Sequence, residues 1–241
     1  MARIPDSPEE IFEEFTGDFQ TAYGSDLVSI ILYGSGARGQ YVANRSDMNF
    51  LIVLSENGID RLEKSLEFIS KWQKINVAVP LFLTENYIRS ALDTFPLEFL
   101  DMKNGYRLVS GKDVLKDIEI KKEDLRRQIE RELRGKLIQL RAGFLSTGAD
   151  REQLRGMLAA SVSTFVSIFA GMLHLKDEEI PTSRTQIFEK TARLFGLDAT
   201  ALTPVLAVKS GQLRGSKVQL QEICLGFIRQ IRQLVEIVDK M

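Results

Sequence analysis

Near Gly111 the apolar residues of this 241-residue chain change their spacing. Before it, short runs rich in β-branched residues, bounded by Gly, Ser, Asp and Asn, alternate with helix-length amphipathic segments. From about Lys121 onward only helical periodicity remains. A β-branched run can hide its backbone and side chains only within a sheet, whereas helical stripes without strands must cover one another. The expected fold class is therefore α+β, with an N-terminal mixed sheet and flanking helices followed by a C-terminal all-helical bundle. The expected domains are residues 1–115 and 116–241.

Within the first half, Leu27–Tyr33, Phe50–Leu54, Val77–Leu83 and Tyr106–Val109 read as strands. Pro80 has no N–H to give a ladder, so the third strand is expected to be an edge strand or to bulge there. Ser7-Pro8-Glu9-Glu10 reads as a helix start, with helical spacing from Ile11 to Phe19. Ile59, Leu62, Leu66, Ile69 and Trp72 share one helical face, Thr84-Glu85 caps another helix, and Phe95–Lys103 reads as a further short one. In the second half the periodicity predicts helices over Glu123–Leu145, Arg151–Leu173, Ser183–Phe195, Thr200–Val208 and Lys217–Val238.

Composition narrows the function classes. A net charge of −1 supplies no global field for nucleic acid or an anionic membrane. Cys224 is the only cysteine, which rules out an internal disulfide and a four-cysteine zinc site, and it points to a reducing, cytoplasmic setting. His174 is the only histidine, which excludes paired-histidine zinc motifs. The N-terminus turns acidic at once and has no signal-peptide core. The apolar stretch Leu158–Leu175 contains Ser161, Ser163, Thr164 and Ser167, so it is expected to be a buried bundle helix and no membrane is implied.

One segment carries chemistry. The strand ending at Tyr33 runs into Gly34-Ser35-Gly36-Ala37-Arg38-Gly39, and Ser46-Asp47-Met48-Asn49 leads into the next strand. A glycine at a strand end lets backbone approach a ligand closely, and side chains at i and i+2 of a strand share a face. This arrangement resembles the nucleotidyltransferase superfamily of polymerase-β-like, minimal and antibiotic nucleotidyltransferases. The family pattern is Gly-Ser, a turn often reading Ala-Arg-Gly, then Ser-Asp-x-Asp at the head of the following strand. The resemblance implies that Gly34, Ser35 and Arg38 touch phosphates and that Asp47 and Asn49 hold the catalytic positions. It also implies Mg²⁺ with a nucleoside triphosphate, with Asp47 as a metal ligand, and a ligand cleft between the two domains.

The chain departs from that pattern twice. The second motif carboxylate is Asn49, and no Asp or Glu occurs from Ile75 to Thr84, where a third is expected. Two divalent cations about 4 Å apart need several negative charges around them. The expectation is a nucleotidyltransferase-fold protein with an incomplete metal site, nucleotide-binding or regulatory, with weak or no catalysis. The alternative is an active Mg²⁺-dependent enzyme moving a nucleoside monophosphate to a hydroxyl of a small molecule or protein, with Glu98 as a replacement carboxylate. A third reading is a non-catalytic interaction module that pairs with itself or a partner protein through its helical half. Glu98, Asp101 and Lys103 are otherwise expected on a surface helix. The basic residues from Lys121 to Arg141 alternate with acids and lack interleaved aromatics, which argues against nucleic acid. The helical half resembles bundle domains that accompany minimal nucleotidyltransferases. Some of these are ribonucleases with Arg-x4-His, but Phe169 stands where His174 would need an arginine.

Overall fold

The computed structural model describes residues 3–44, 46–148 and 150–241. The elements in chain order are helix α1 (Phe12–Tyr23), strands β1 (Leu27–Tyr33) and β2 (Asn49–Leu54), helices α2 (Glu56–Ile59) and α3 (Leu66–Gln73), strand β3 (Leu81–Thr84), helices α4 (Glu85–Ser90) and α5 (Pro96–Lys103), and strand β4 (Tyr106–Gly111). Among the described residues the helices α6 (Lys122–Thr147), α7 (Arg151–Leu175), α8 (Arg184–Phe195), α9 (Ala199–Leu202), α10 (Pro204–Ser210) and α11 (Lys217–Asp239) follow. The α+β class expected from the spacing is the class observed. The chain divides into two compact units, Met1–Asp93 with Phe99–Ile120, and Thr94–Glu98 with Lys121–Met241. The change of unit at Ile120 falls five residues beyond the expected one, and the segment Thr94–Glu98 belongs with the helices.

In the first unit the sheet order is β3-β2-β1-β4. β1 lies antiparallel to both β2 and β4, and β2 runs parallel to β3. β1 is an apolar run and takes a central place, with Ile30, Ile31 and Leu32 buried. Alternate side chains feed two cores. On one face Ile30, Leu32, Phe50 and Ile52 meet Phe15 and Phe19 of α1 and Trp72 of α3. Phe15 stacks on Phe50 with ring centroids 4.2 Å apart. On the other face Ile31, Leu51 and Val53 meet Ile88, Phe99, Met102, Leu115 and Ile118. Each fully buried ring contributes about 1.5–3 kcal/mol through removal of apolar surface from water.

Several elements differ from their expected extents for local reasons. The Ser7 start opens as a 3-10 turn, Pro8–Ile11, with the Glu10 carboxylate accepting the N–H groups of Asp6 and Ser7. The helix expected around Ile59–Trp72 is broken into α2, a 3-10 turn at Leu62–Ser65, and α3. Ser55 caps α2 by accepting the Gly58 N–H, and Arg61 turns back to pair with Asp26. β3 starts only at Leu81. Before it, Met48 bridges Val77, whereas Leu51 faces Leu81, so the register slips by one residue beside Pro80 on an edge strand. The expected helix Thr200–Val208 becomes α9 and α10, because Pro204 begins a new helix.

The second unit is built on α6 and α7, with α8, α10 and α11 against α7 and α11 also against α6. α7 is long and apolar enough to cross a membrane by length and composition, but half of its most apolar window is buried within the fold. Phe165 meets Phe227 of α11 edge-on at 4.9 Å, and Phe169 meets Phe188 of α8 at 4.7 Å. Buried Gln128 of α6 accepts the Leu97 N–H and donates to the Glu98 carboxylate, both at 2.8 Å. Cys224 is fully buried in α11.

Candidate functional site

The motif residues converge at one end of the sheet. β1 delivers Tyr33 and then turns at Gly34, whose φ of +75° suits glycine. The turn is closed by Arg38 N–H donating to Gly34 O at 3.2 Å and Gln40 N–H donating to Ser35 O at 2.9 Å. The chain then forms a second closed loop, in which Ser46 N–H donates to Val42 O and the Ser46 hydroxyl accepts the Val42 N–H. That loop returns the backbone to the sheet with Asp47 exposed, Met48 buried and Asn49 half-buried. Asn49 is the first residue of β2 and lies directly opposite Tyr33.

The alternation therefore places Asp47 and Asn49 on the same side, as expected for i and i+2. Gly34 lies under Asn49, since a β-carbon at Gly34 would stand 3.4 Å from the Asn49 Nδ2. Among the described residues neither the Asp47 carboxylate nor the Ser35 hydroxyl has a hydrogen-bond partner, and Asp47 has no ion pair. Four of the expected residues, Gly34, Ser35, Asp47 and Asn49, thus belong to one strand-end constellation.

Arg38 belongs to the same turn, but its guanidinium is already engaged. Its Nη1 lies 3.1 Å from the Asp101 carboxylate of α5 and 3.5 Å from the Asp101 carbonyl. Its stem lies across Gly105, where a β-carbon would come within 2.4 Å of the Arg38 Cγ. Sequence spacing could not reveal this pairing, because 63 residues separate the partners. Glu98, considered as a replacement carboxylate, is bonded to Gln128 instead. Lys103 donates to Ile118 O.

Two tyrosines continue the row from Asn49 across β1 and β4. Tyr33 faces Asn49 on one side and Tyr106 on the other. Burial first, and the negative charge of Asp101 second, push the Tyr33 phenol above its usual range. The Tyr106 hydroxyl donates to Asp113 at 2.9 Å, and burial together with that carboxylate pushes its pKa up to about 12. The strand reading puts both tyrosines at strand ends, and the antiparallel register of β1 with β2 and β4 sets them in the row Asn49, Tyr33, Tyr106 across three strands.

A two-metal centre does not fit these residues. Asp47 supplies one negative charge and Asn49 a neutral amide. Beside them, where β3 would offer a third carboxylate, the slipped segment presents Ala78, Val79 and Pro80. Among the described residues no three His, Cys, Asp or Glu side chains gather in a way that could hold a metal.

Residues 12–104 match the family model of the nucleotidyltransferase domain. By structure the chain is similar to the spectinomycin adenyltransferase of Enterococcus faecialis, solved with ATP and spectinomycin. The TM-score is 0.59 at 14% identity, covering 94% of this chain and 98% of that one. At that identity the likeness concerns the fold. No curated protein matches by sequence.

Proposed function

With residues 12–104 belonging to the nucleotidyltransferase superfamily, we propose that this chain binds a nucleoside triphosphate at the end of β1 and acts as a nucleotide-binding or regulatory member with weak or no transfer activity. The observation that carries the binding half is the near contact of the Asn49 amide with Gly34, with Ser35 next in the turn and Asp47 two residues before Asn49, neither of these side chains being hydrogen-bonded among the described residues. Gly34 leaves room for phosphate to approach backbone, Ser35 donates a hydroxyl hydrogen, and Asn49 offers amide N–H donors. Asp47 would at most touch the Mg²⁺ that a triphosphate brings with it.

The weak-or-no-catalysis half rests on charge. In-line displacement with two metals requires a cage of carboxylates that these residues do not form. The second reading is an active transferase acting on a hydroxyl of a small molecule or protein. It is favoured by the fold likeness to an antibiotic adenyltransferase along nearly the whole of both chains. It would need a carboxylate from a residue other than Glu98, which is held by Gln128.

The experiment is a thermal-shift titration of the full chain with each nucleoside triphosphate, with and without Mg²⁺, beside an assay for pyrophosphate release. The expected result is a rise in Tm without turnover. At about 100-fold excess over Kd, mass action adds about 2.7 kcal/mol. Release of pyrophosphate that Asp47→Ala removes would establish the second reading. No shift with any nucleotide at millimolar concentration would sink both.

A further inference from the structure

Resting on the reading that the Gly34–Gln40 turn receives phosphate, we propose that the Asp101 carboxylate stands in the phosphate's place on Arg38, so that ligand and Asp101 compete for one guanidinium and Asp101 sets the affinity of the site for polyphosphate. Arg38 is the only cationic residue between Gly34 and Gln40. Its charged end is held by a carboxylate at 3.1 Å, the same chemistry as a phosphate oxygen. The pair is accessible, with side chains 25% and 34% exposed, so an incoming anion can exchange with it.

The position of Arg38 does not depend on that carboxylate alone. The stem lies on Gly105, where even a methyl group would collide with Cγ and Cδ. Its Nη1 also reaches the Asp101 carbonyl in the last turn of α5, a helix end that favours a cation. Neutralising Asp101 therefore leaves the guanidinium where it is and removes both its competitor and a negative charge that repels phosphate. A structural role for the pair predicts the opposite, since breaking it would loosen Arg38 and weaken binding.

The test is calorimetric titration of the full chain with inorganic tripolyphosphate in EDTA, and with ATP and Mg²⁺, alongside the Tm of each variant. Asp101→Asn and Asp101→Ser should each bind tripolyphosphate about fivefold tighter than wild type, the size expected when a partly exposed ion pair no longer has to be broken. Asp101→Glu should stay near wild type. Adding Arg38→Ala to Asp101→Asn should abolish the gain. Tripolyphosphate binding that is unchanged or weaker in both neutral variants, while wild type still binds ATP, would overturn the competition and leave the nucleotide reading intact. If wild type and the neutral variants bind neither ligand, both fall together.

Discussion

Asn49 and Gly34 are in near contact across the β1–β2 pair, with the carboxamide Nδ2 3.4 Å from where a Gly34 side chain would begin. An amide there presents N–H donors and no charge, whereas a carboxylate presents charge and no donor. The two choices suit opposite ligands: bare phosphate favours the amide, and a metal-bound phosphate favours the carboxylate.

Asn49→Asp should therefore invert the dependence on Mg²⁺. In EDTA the variant should bind ATP several-fold more weakly than wild type, through repulsion at short range. With Mg²⁺ it should bind at least as tightly as wild type, because the carboxylate introduced at position 49 and that of Asp47 would approach the metal from the same face. Calorimetric titration in both conditions checks this. Equal affinities for the two proteins in both conditions would mean that position 49 does not face the ligand.

The elements are legible in the sequence where period and punctuation agree. β1 is a β-branched run between glycines, and the helices after Lys121 keep one stripe each. The Gly34, Ser35, Asp47 and Asn49 constellation is legible because two short closed loops link the strands, so sequence neighbours become spatial ones. The strand order is not legible, since pairing β1 with β4 depends on contacts across about 75 residues, from Tyr33 to Tyr106. For the same reason Asp101 reads as an ordinary surface residue. Nothing near it in sequence reveals that α5 turns its last residues toward Arg38. The breaks at Ser55–Ser65 lie within a continuous apolar stripe, and the tertiary bonds that Ser55 and Arg61 donate to the Asp26 carboxylate decide them.

Gly111 ends β4 with φ of +82°, and a β-carbon there would stand 2.1 Å from the Val28 carbonyl oxygen. Backbone cannot move aside as a flexible side chain can, so Gly111→Ala must push β4 away from β1. The expected cost is about 2–4 kcal/mol, from strain at positive φ together with overpacking. Urea denaturation followed by far-ultraviolet circular dichroism measures it. Gly17→Ala, where nothing lies within 4 Å of the added methyl, serves as the control and should not destabilise the chain.

Tyr106 makes stability depend on alkaline pH. Its folded pKa is raised to about 12 from an ordinary 10, by burial and by the bond to Asp113. The folded state thus holds the phenolic proton more tightly than the unfolded state does. That contribution is complete below pH 10 and is lost as pH rises from about 10 through 12. Tyr106→Phe should lower stability at pH 8 and make the decline above pH 10 less steep, leaving the part due to Cys224, whose thiol is pushed up to about 11, and to Tyr33, Tyr41 and Lys71, which are also raised. Denaturation curves at about pH 8, 10 and 11 would show it, and parallel declines for both proteins would assign the effect elsewhere.

Cys224 and Trp72 report on separate cores. Cys224 is buried in α11, and burial pushes its thiol up to about 11, so at pH 8 only about one thiol in a thousand is ionised even before access is considered. Trp72 is packed against Phe15 in the sheet unit and donates its indole N–H to Asp18. In native buffer a thiol reagent should label Cys224 at least about a thousandfold more slowly than it labels the urea-unfolded chain, because reaction waits for the helical unit to open. The labelling rate should rise with urea along its own curve, while Trp72 fluorescence follows the sheet unit. Native labelling within about tenfold of the unfolded rate would mean that α11 opens freely and that the Phe165–Phe227 contact does not secure it.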